Sequence, residues 1–322
     1  MNLLRLRLGM IGTMAIMIAV STLFFSIVLS LMGGFSLLSL ALFVIPSNLM
    51  QWLFAPYLID ALYGTRSITS AEHPRLVSAV ERLSQKMGLK TPRLMLAAMS
   101  IPNAFAYGSP LTGSRVAVTT GLLQGLEEDE VEAVVGHELG HLKHRDVQIM
   151  MAVSVLPAIF YYLGYSMLLS SRYGRGERNQ SSGGVALIGV GSMVLYWILS
   201  LLVLGLSRAR EYYADRNSAM YVEDGATKLS EALAKIVSST NRAQRYLAGN
   251  TGPTGFKALL ISDPDTARRD QAVIAGSGML RSDQQMLREI MSQEVSAFDR
   301  ILEVFSTHPN IVKRLQALQK LA

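Results

Sequence analysis

The chain contains no cysteine, which excludes disulfides, thiolate metal ligands and a cysteine nucleophile. Charge is scarce too: 17% of the 322 residues are Asp, Glu, Lys or Arg, where about a quarter is usual for a soluble protein. Half of the residues are hydrophobic, and the combination points to membrane spans. The net charge of +6 raises nucleic acid as a partner. No basic run is interleaved with aromatics in a nucleic-acid motif, however, and that class is set aside. Arg and Lys flanking apolar segments account better for the charge. Only five histidines are present, and their placement carries most of the information.

Two apolar stretches open the sequence, at about 9–31 and 35–58, separated by Gly33-Gly34. Each is long enough to cross a hydrocarbon core of about 30 Å at 1.5 Å per residue. Arg5 and Arg7 precede the first, so the positive-inside rule puts the N-terminus and the chain beyond the second span in the cytoplasm. Residues 1–58 are read as a transmembrane hairpin.

Residues 59–146 read as the first part of a soluble domain. Leu76, Val80, Leu83 and Met87 have helical spacing between Pro74 and Gly88. Strands are expected at 93–98 and 115–119, with turn signals at Gly108-Ser109-Pro110 and Thr112-Gly113. A helix over 127–146 is expected to run without a breaker into a third apolar segment, 147–169. A polar loop, 170–182, and a fourth apolar segment, 183–206, complete a second hairpin over 147–206. The second part of the domain, 207–322, holds a helix through 207–215, another around 229–237, and a turn-rich stretch, 241–278, read as a mobile insertion. Amphipathic helices at 281–305 and 311–321 close the chain.

Three of the five histidines, His137, His141 and His144, fall in one eight-residue window, with Glu138 beside the first. On a helix, positions i and i+4 share a face. Two imidazoles so placed grip one zinc ion while the adjacent carboxylate faces an activated water. The alternative is a polar helix whose histidines are simply hydrogen-bonded. A catalytic zinc wants three protein ligands. The metzincin pattern would need Gly at 143 and His at 147, where this chain has Lys143 and Val147, so that class is excluded. His144 lies about 4.5 Å further along the helix axis than His141 and suits a neighbouring or surface role. Glu211, with Asp215 at i+4, is the best third ligand: Glu211 coordinates and Asp215 orients a ligand histidine. The competing readings are an ordinary charged helix face, or Glu132 or Asp146 as the third ligand.

His137-Glu-Leu-Gly-His141, Ser207-Arg-x-x-Glu211-x-x-x-Asp215 and Thr307-His308-Pro309 followed by Arg314 together resemble the HtpX family of membrane zinc endopeptidases. That family is related to the CAAX prenyl proteases and to a mitochondrial inner-membrane protease. The likeness covers nearly the whole chain, although the 241–278 stretch departs from the shorter form expected. It implies a mainly α fold with a small β-sheet: a gluzincin-type metalloprotease domain carried by four transmembrane helices. It further implies one Zn²⁺ per subunit on His137, His141 and Glu211, with Glu138 as base. His308 and Arg314 become transition-state stabilisers, and Asn103, Ala104, Phe105 and Ala106 an edge strand that pairs with substrate backbone. The implied activity is hydrolysis of peptide bonds in misfolded or damaged membrane proteins, by a multi-pass protein of the cytoplasmic membrane. Its partners are then those unfolded substrates and the lipid bilayer, with no nucleic acid.

A metal shared by residues before and after the second hairpin requires an even number of crossings between them, so both parts of the protease domain lie on one side, which Arg5, Arg7 and the first hairpin make the cytoplasmic one. Arg172, Arg175 and Arg178 in the connecting loop oppose full translocation, so a shallow hairpin is the alternative. Two other functions compete with this one: a specific processing protease of the prenyl-protein type, and a catalytically silent membrane scaffold.

Overall fold

A computed structural model of the chain describes residues 37–173, 182–247, 283–292 and 295–322. The stretch read as the first span, most of the 170–182 loop, residues 248–278 of the insertion and the next four residues lie outside the described residues. The chain divides into two compact units: Met1–Trp52 with Gln148–Leu206, and Leu53–Val147 with Ser207–Ala322.

The second unit holds a four-stranded sheet and most of the helices. Helix α1, Leu37–Tyr63, leads to β1, Arg66–Ser67, and then α2, Pro74–Met87. Proline at its first turn starts α2, and Gly88 stops it at φ +68°, a left-handed position that glycine adopts without a Cβ clash. Strands β2, Arg93–Ala97, β3, Ala104–Ser109, and β4, Gly113–Thr119, follow. Their order is β1-β2-β4-β3, with β2 parallel to β4 and the other pairs antiparallel. The strand β3 therefore forms one edge.

Alternation sends strand side chains to two different cores. Leu94, Leu96, Ala104, Val116 and Val118 enter the main core with the helices. Met95, Ala97, Phe105, Tyr107 and Ala117 pack on Tyr63 and Ile59 from the end of α1. Both faces are covered, which is why these strands read as nearly continuous apolar runs. Tyr107 donates to Asp60 at 2.7 Å, and Arg115 pairs with the same carboxylate, so β3 and β4 are tied to α1 from behind.

After β4 come α3, Thr120–Gly125, and α4, Glu128–Lys143. A capping box between Glu127 and Glu130 fixes the start of α4, and acidic residues in its first turn suit the helix dipole. The helix does not continue into the apolar segment as expected. It ends at His144 and Arg145, and Arg145 takes φ +54° before α5, Asp146–Tyr173, begins. The opposite correction applies further on. The fourth apolar segment and the 207–215 helix are one uninterrupted helix, α6, Ser182–Tyr221, because the change from apolar to charged residues at Ser207 brings no helix breaker.

Helix α7, Gly225–Leu247, extends seven residues into the stretch read as turn-rich. The helix expected over 281–305 is divided into α8, Asp283–Met291, and α9, Ala297–Val304. The Ser296–Asp299 capping box starts α9 afresh. Asn310 caps α10, Ile311–Gln319.

In the first unit, α5 and α6 pack through Val153, Phe160, Leu195, Leu199 and Leu206. Among the described residues, two helical stretches are long and apolar enough to cross a membrane, Gln148–Leu168 and Gly183–Tyr221. Two of the four spans expected are thus supported, and the first lies outside the described residues.

Candidate metal centre

Helix α4 is buried on nearly every side: Val131, Ala133, Val134, Val135 and Leu139 face the core, while His137 and Glu138 are also buried. It packs along β3 and β4 as well as α2 and α7. Its approach to α6 depends on glycine. A Cβ on Gly140 would stand 3.0 Å from the Cα of Ala214 and 3.1 Å from the Cβ of Asn217. The backbones approach closely enough here for Glu211, one turn before Ala214, to reach the histidine face.

The two rings sit edge to face, 4.8 Å between centroids, with their Nε2 atoms 3.2 Å apart. Glu211 closes the triangle, with Oε2 3.6 Å from His137 Nε2 and Oε1 3.6 Å from His141 Nε2. Each histidine turns its other nitrogen to a buried carboxylate. His137 Nδ1 lies 2.9 Å from Asp215 Oδ1, and His141 Nδ1 lies 2.6 Å from Asp146 Oδ2. Such partners fix the tautomer and aim the Nε2 lone pair at a metal. A carboxylate oxygen of Glu138 lies within 4.8 Å of the ligand atoms of both histidines.

Formal charges make the same point. Glu138, Asp146, Glu211 and Asp215 are buried, against the cations Arg210 and Arg314. Counting the imidazoles as neutral, as they are when they bind a metal, the buried carboxylates outnumber these cations by two among the described residues around three converging acceptors, and a dication fits that set. Burial alone would lower the pKa of His137, but the carboxylates of Asp215 and Glu211 more than offset this and raise it to about 9. Burial raises the pKa of Glu211, and His308, His137, His141 and Arg314 together hold it well below the usual carboxylate range. The site draws positive charge and keeps Glu211 ionised.

The remaining site residues expected from the sequence divide by position. His308 comes into the site: its Nε2 lies 3.9 Å from Glu211 Oε1, and the side chain is 13% exposed. Arg314 does not face an open cleft. It is 2% exposed and directs its fork at Asp215, with Nη2 to Oδ1 at 2.6 Å and Nε to Oδ2 at 3.0 Å. Its Nη1 lies 3.4 Å from Glu211 Oε2. Asn103, expected at the substrate, is 1% exposed. Its N–H donates to Thr119 Oγ1 at 2.9 Å and its carbonyl accepts from Thr119 N at 3.0 Å. Ala104 and Phe105 are buried and Ala106 half-buried, so β3 offers main chain rather than side chains at its outer edge.

Sequence reasoning passed over Asp146 as the carboxylate behind His141. It also passed over Arg210, whose Nε lies 3.1 Å from Asp146 Oδ2. The break at Arg145 returns the Asp146 side chain to the motif helix, and residue types alone gave no sign of that break. His144 turns to α6 instead of the metal set: its Nε2 lies 2.8 Å from Asn217 Nδ2.

The model of peptidase family M48 matches residues 70–322. The chain is similar to a protease HtpX homolog of Thermoplasma acidophilum, 39% identical over 287 residues that cover 88% of this chain and 84% of the relative. It is also similar to a protease HtpX homolog of Aeropyrum pernix, 37% identical over 285 residues, covering 88% and 86%. Among solved structures, the crystal structure of S. mikatae Ste24p superposes with a TM-score of 0.55 at 14% identity. The match covers 98% of this chain and 67% of that one, a likeness of fold. With the motif helix and its converging histidines inside the matched region, the chain belongs to peptidase family M48, a family of metallopeptidases.

Proposed function

We propose that this chain is a membrane-integral, zinc-dependent endopeptidase holding one zinc on His137, His141 and Glu211. One observation carries the reading: three acceptors converge within 3.6 Å of one another, in a buried set with two formal negative charges to spare. When bound, zinc supplies a Lewis acid that polarises the scissile carbonyl and activates water.

The chain's own residues do the rest. Glu138, one position from the first histidine, takes the proton of the attacking water and delivers it to the leaving amine. Asp215 and Asp146 hold the two imidazoles in the tautomer that presents Nε2. Arg314 acts through Asp215 and Glu211, a positioning role in place of the direct stabilising role expected from the sequence. His308, beside Glu211, donates to the developing oxyanion. The outer edge of β3 binds an extended peptide by its main chain, which suits a protease that reads backbone more than side chains.

The substrates are unfolded or damaged proteins of the membrane. Support comes from the long apolar parts of α5 and α6, which suit a chain held in a bilayer. Arg5 and Arg7 ahead of the first apolar stretch favour a cytoplasmic protease domain in a cell membrane.

The test is Glu138→Gln, which keeps the side chain's shape and removes the proton acceptor. In detergent-solubilised full-length protein it should abolish casein cleavage while zinc content stays at that of the unchanged chain. Substantial cleavage by the variant would remove Glu138 from the mechanism.

A further inference from the structure

Among the residues of the Ser207-Arg-x-x-Glu211-x-x-x-Asp215 segment, Arg208 has no part in the metal set or in the chemistry. It is nevertheless committed. Its Nη1 donates to the carbonyl of Val304 at 3.0 Å and to that of Ser306 at 2.7 Å. These carbonyls lie at the C-terminal end of α9, where a helix leaves acceptors unsatisfied and favours a cation. Hydrogen bonds from a charged donor are also roughly twice as strong as neutral ones.

What those carbonyls lead into gives the contact its meaning. The turn from α9 to α10 is Ser306-Thr307-His308-Pro309-Asn310. Inside it, His308 N–H donates to Ser306 Oγ at 3.2 Å, and Thr307 Oγ1 lies 2.9 Å from His308 Nδ1. Beyond it, Arg314 on α10 is locked to Asp215. The His308 turn therefore has an arginine anchor at each end, and both anchors meet α6. Residues 208, 211 and 215 are spaced i, i+3 and i+7, one face of a helix. Along that face α6 meets, in order, the carbonyls where the turn begins, His308 itself at Glu211, and the arginine after the turn.

We propose that Arg208 is a positioning residue that sets His308 beside Glu211, so that the spacing of this segment serves as a docking register for the C-terminal turn as well as a metal motif. The proposal rests on the role of His308 given above, and its tests separate the two. In full-length protein, Arg208→Ala should lower kcat toward the roughly 10²- to 10³-fold loss expected of His308→Ala. KM for a casein peptide and zinc content should be unchanged. The double variant should be no slower than His308→Ala alone, because both substitutions remove one function. Arg208→Lys, which keeps a cationic donor, should recover part of the rate. Multiplying losses in the double variant, loss of zinc, or a lysine variant no better than alanine would overturn the proposal.

A second readout does not depend on catalysis. The chain has no cysteine, so His308→Cys gives a single site for a nitroxide. Its spectrum should show a restrained label when Arg208 is present and a mobile one with Arg208→Ala. An unchanged spectrum would overturn the positioning role even if activity fell. Wild-type kcat in His308→Ala, with a mobile label in the Arg208→Ala background, would instead remove His308 from the chemistry and leave the anchor standing.

Discussion

Replacing Arg314 with methionine removes a buried cation while keeping much of its volume. Asp215 then loses both of its guanidinium hydrogen bonds, at 2.6 and 3.0 Å, and Glu211 loses a cation 3.4 Å away. Both carboxylates are buried, and burial raises the pKa of each until neighbouring cations bring it down. Breaking a buried pair from one side costs about 3–5 kcal/mol. In a unit of roughly 200 residues, each kcal/mol moves the melting temperature by roughly 2–4 °C. Arg314→Met should therefore lower the Tm by roughly 6–20 °C when a chelator is present. Saturating zinc should shrink the difference, because a dication offsets the charge left uncompensated. Thermal unfolding of the detergent-solubilised protein, with chelator and with zinc, measures both. A chelated variant melting within about 3 °C of the unchanged chain would refute the reasoning. If its turnover were nevertheless lost, Arg314 would act on the substrate directly.

Two further outcomes follow from the same geometry. Asp146→Ala should weaken zinc binding by roughly 10- to 100-fold, the usual effect of losing a carboxylate behind a ligand histidine; competition against a chelator of known affinity measures it, and unchanged affinity would make Asp146 only a partner for Arg210. His308→Ala should lower kcat by roughly 10²- to 10³-fold with zinc content intact, as read by casein turnover and metal analysis on one sample; loss of metal would make the residue structural.

The features legible in the sequence were those whose chemistry depends on short spacing. The face shared by His137 and His141, and the i+4 relation of Glu211 to Asp215, follow from helix geometry alone. Pro74 and Gly88 bounded α2 because proline and glycine have conformational meanings that other residues lack. The break before α5 had no such marker. A left-handed residue is commonly glycine or asparagine, and here it is Arg145. With the break missed, the return of Asp146 to His141 was missed as well. The division between α8 and α9 was readable in Ser296-x-x-Asp299, a capping box that a long amphipathic pattern overshadowed. Arg314 was marked by resemblance as a site residue, but its burial against Asp215 was not legible, because the carboxylate it meets lies 99 residues away in the sequence. Asn103 went the same way: its neighbours mark an edge strand, and only the pairing with Thr119 reveals that it is enclosed.

The central claim is that His137, His141 and Glu211 together hold one zinc. Metal analysis of the purified full-length chain and of Glu211→Ala tests it most directly. The account predicts close to one zinc per chain in the first, and strongly reduced zinc with no casein cleavage in the second, since two protein ligands would remain. An active chain without metal, or Glu211→Ala with full zinc and normal turnover, would contradict it.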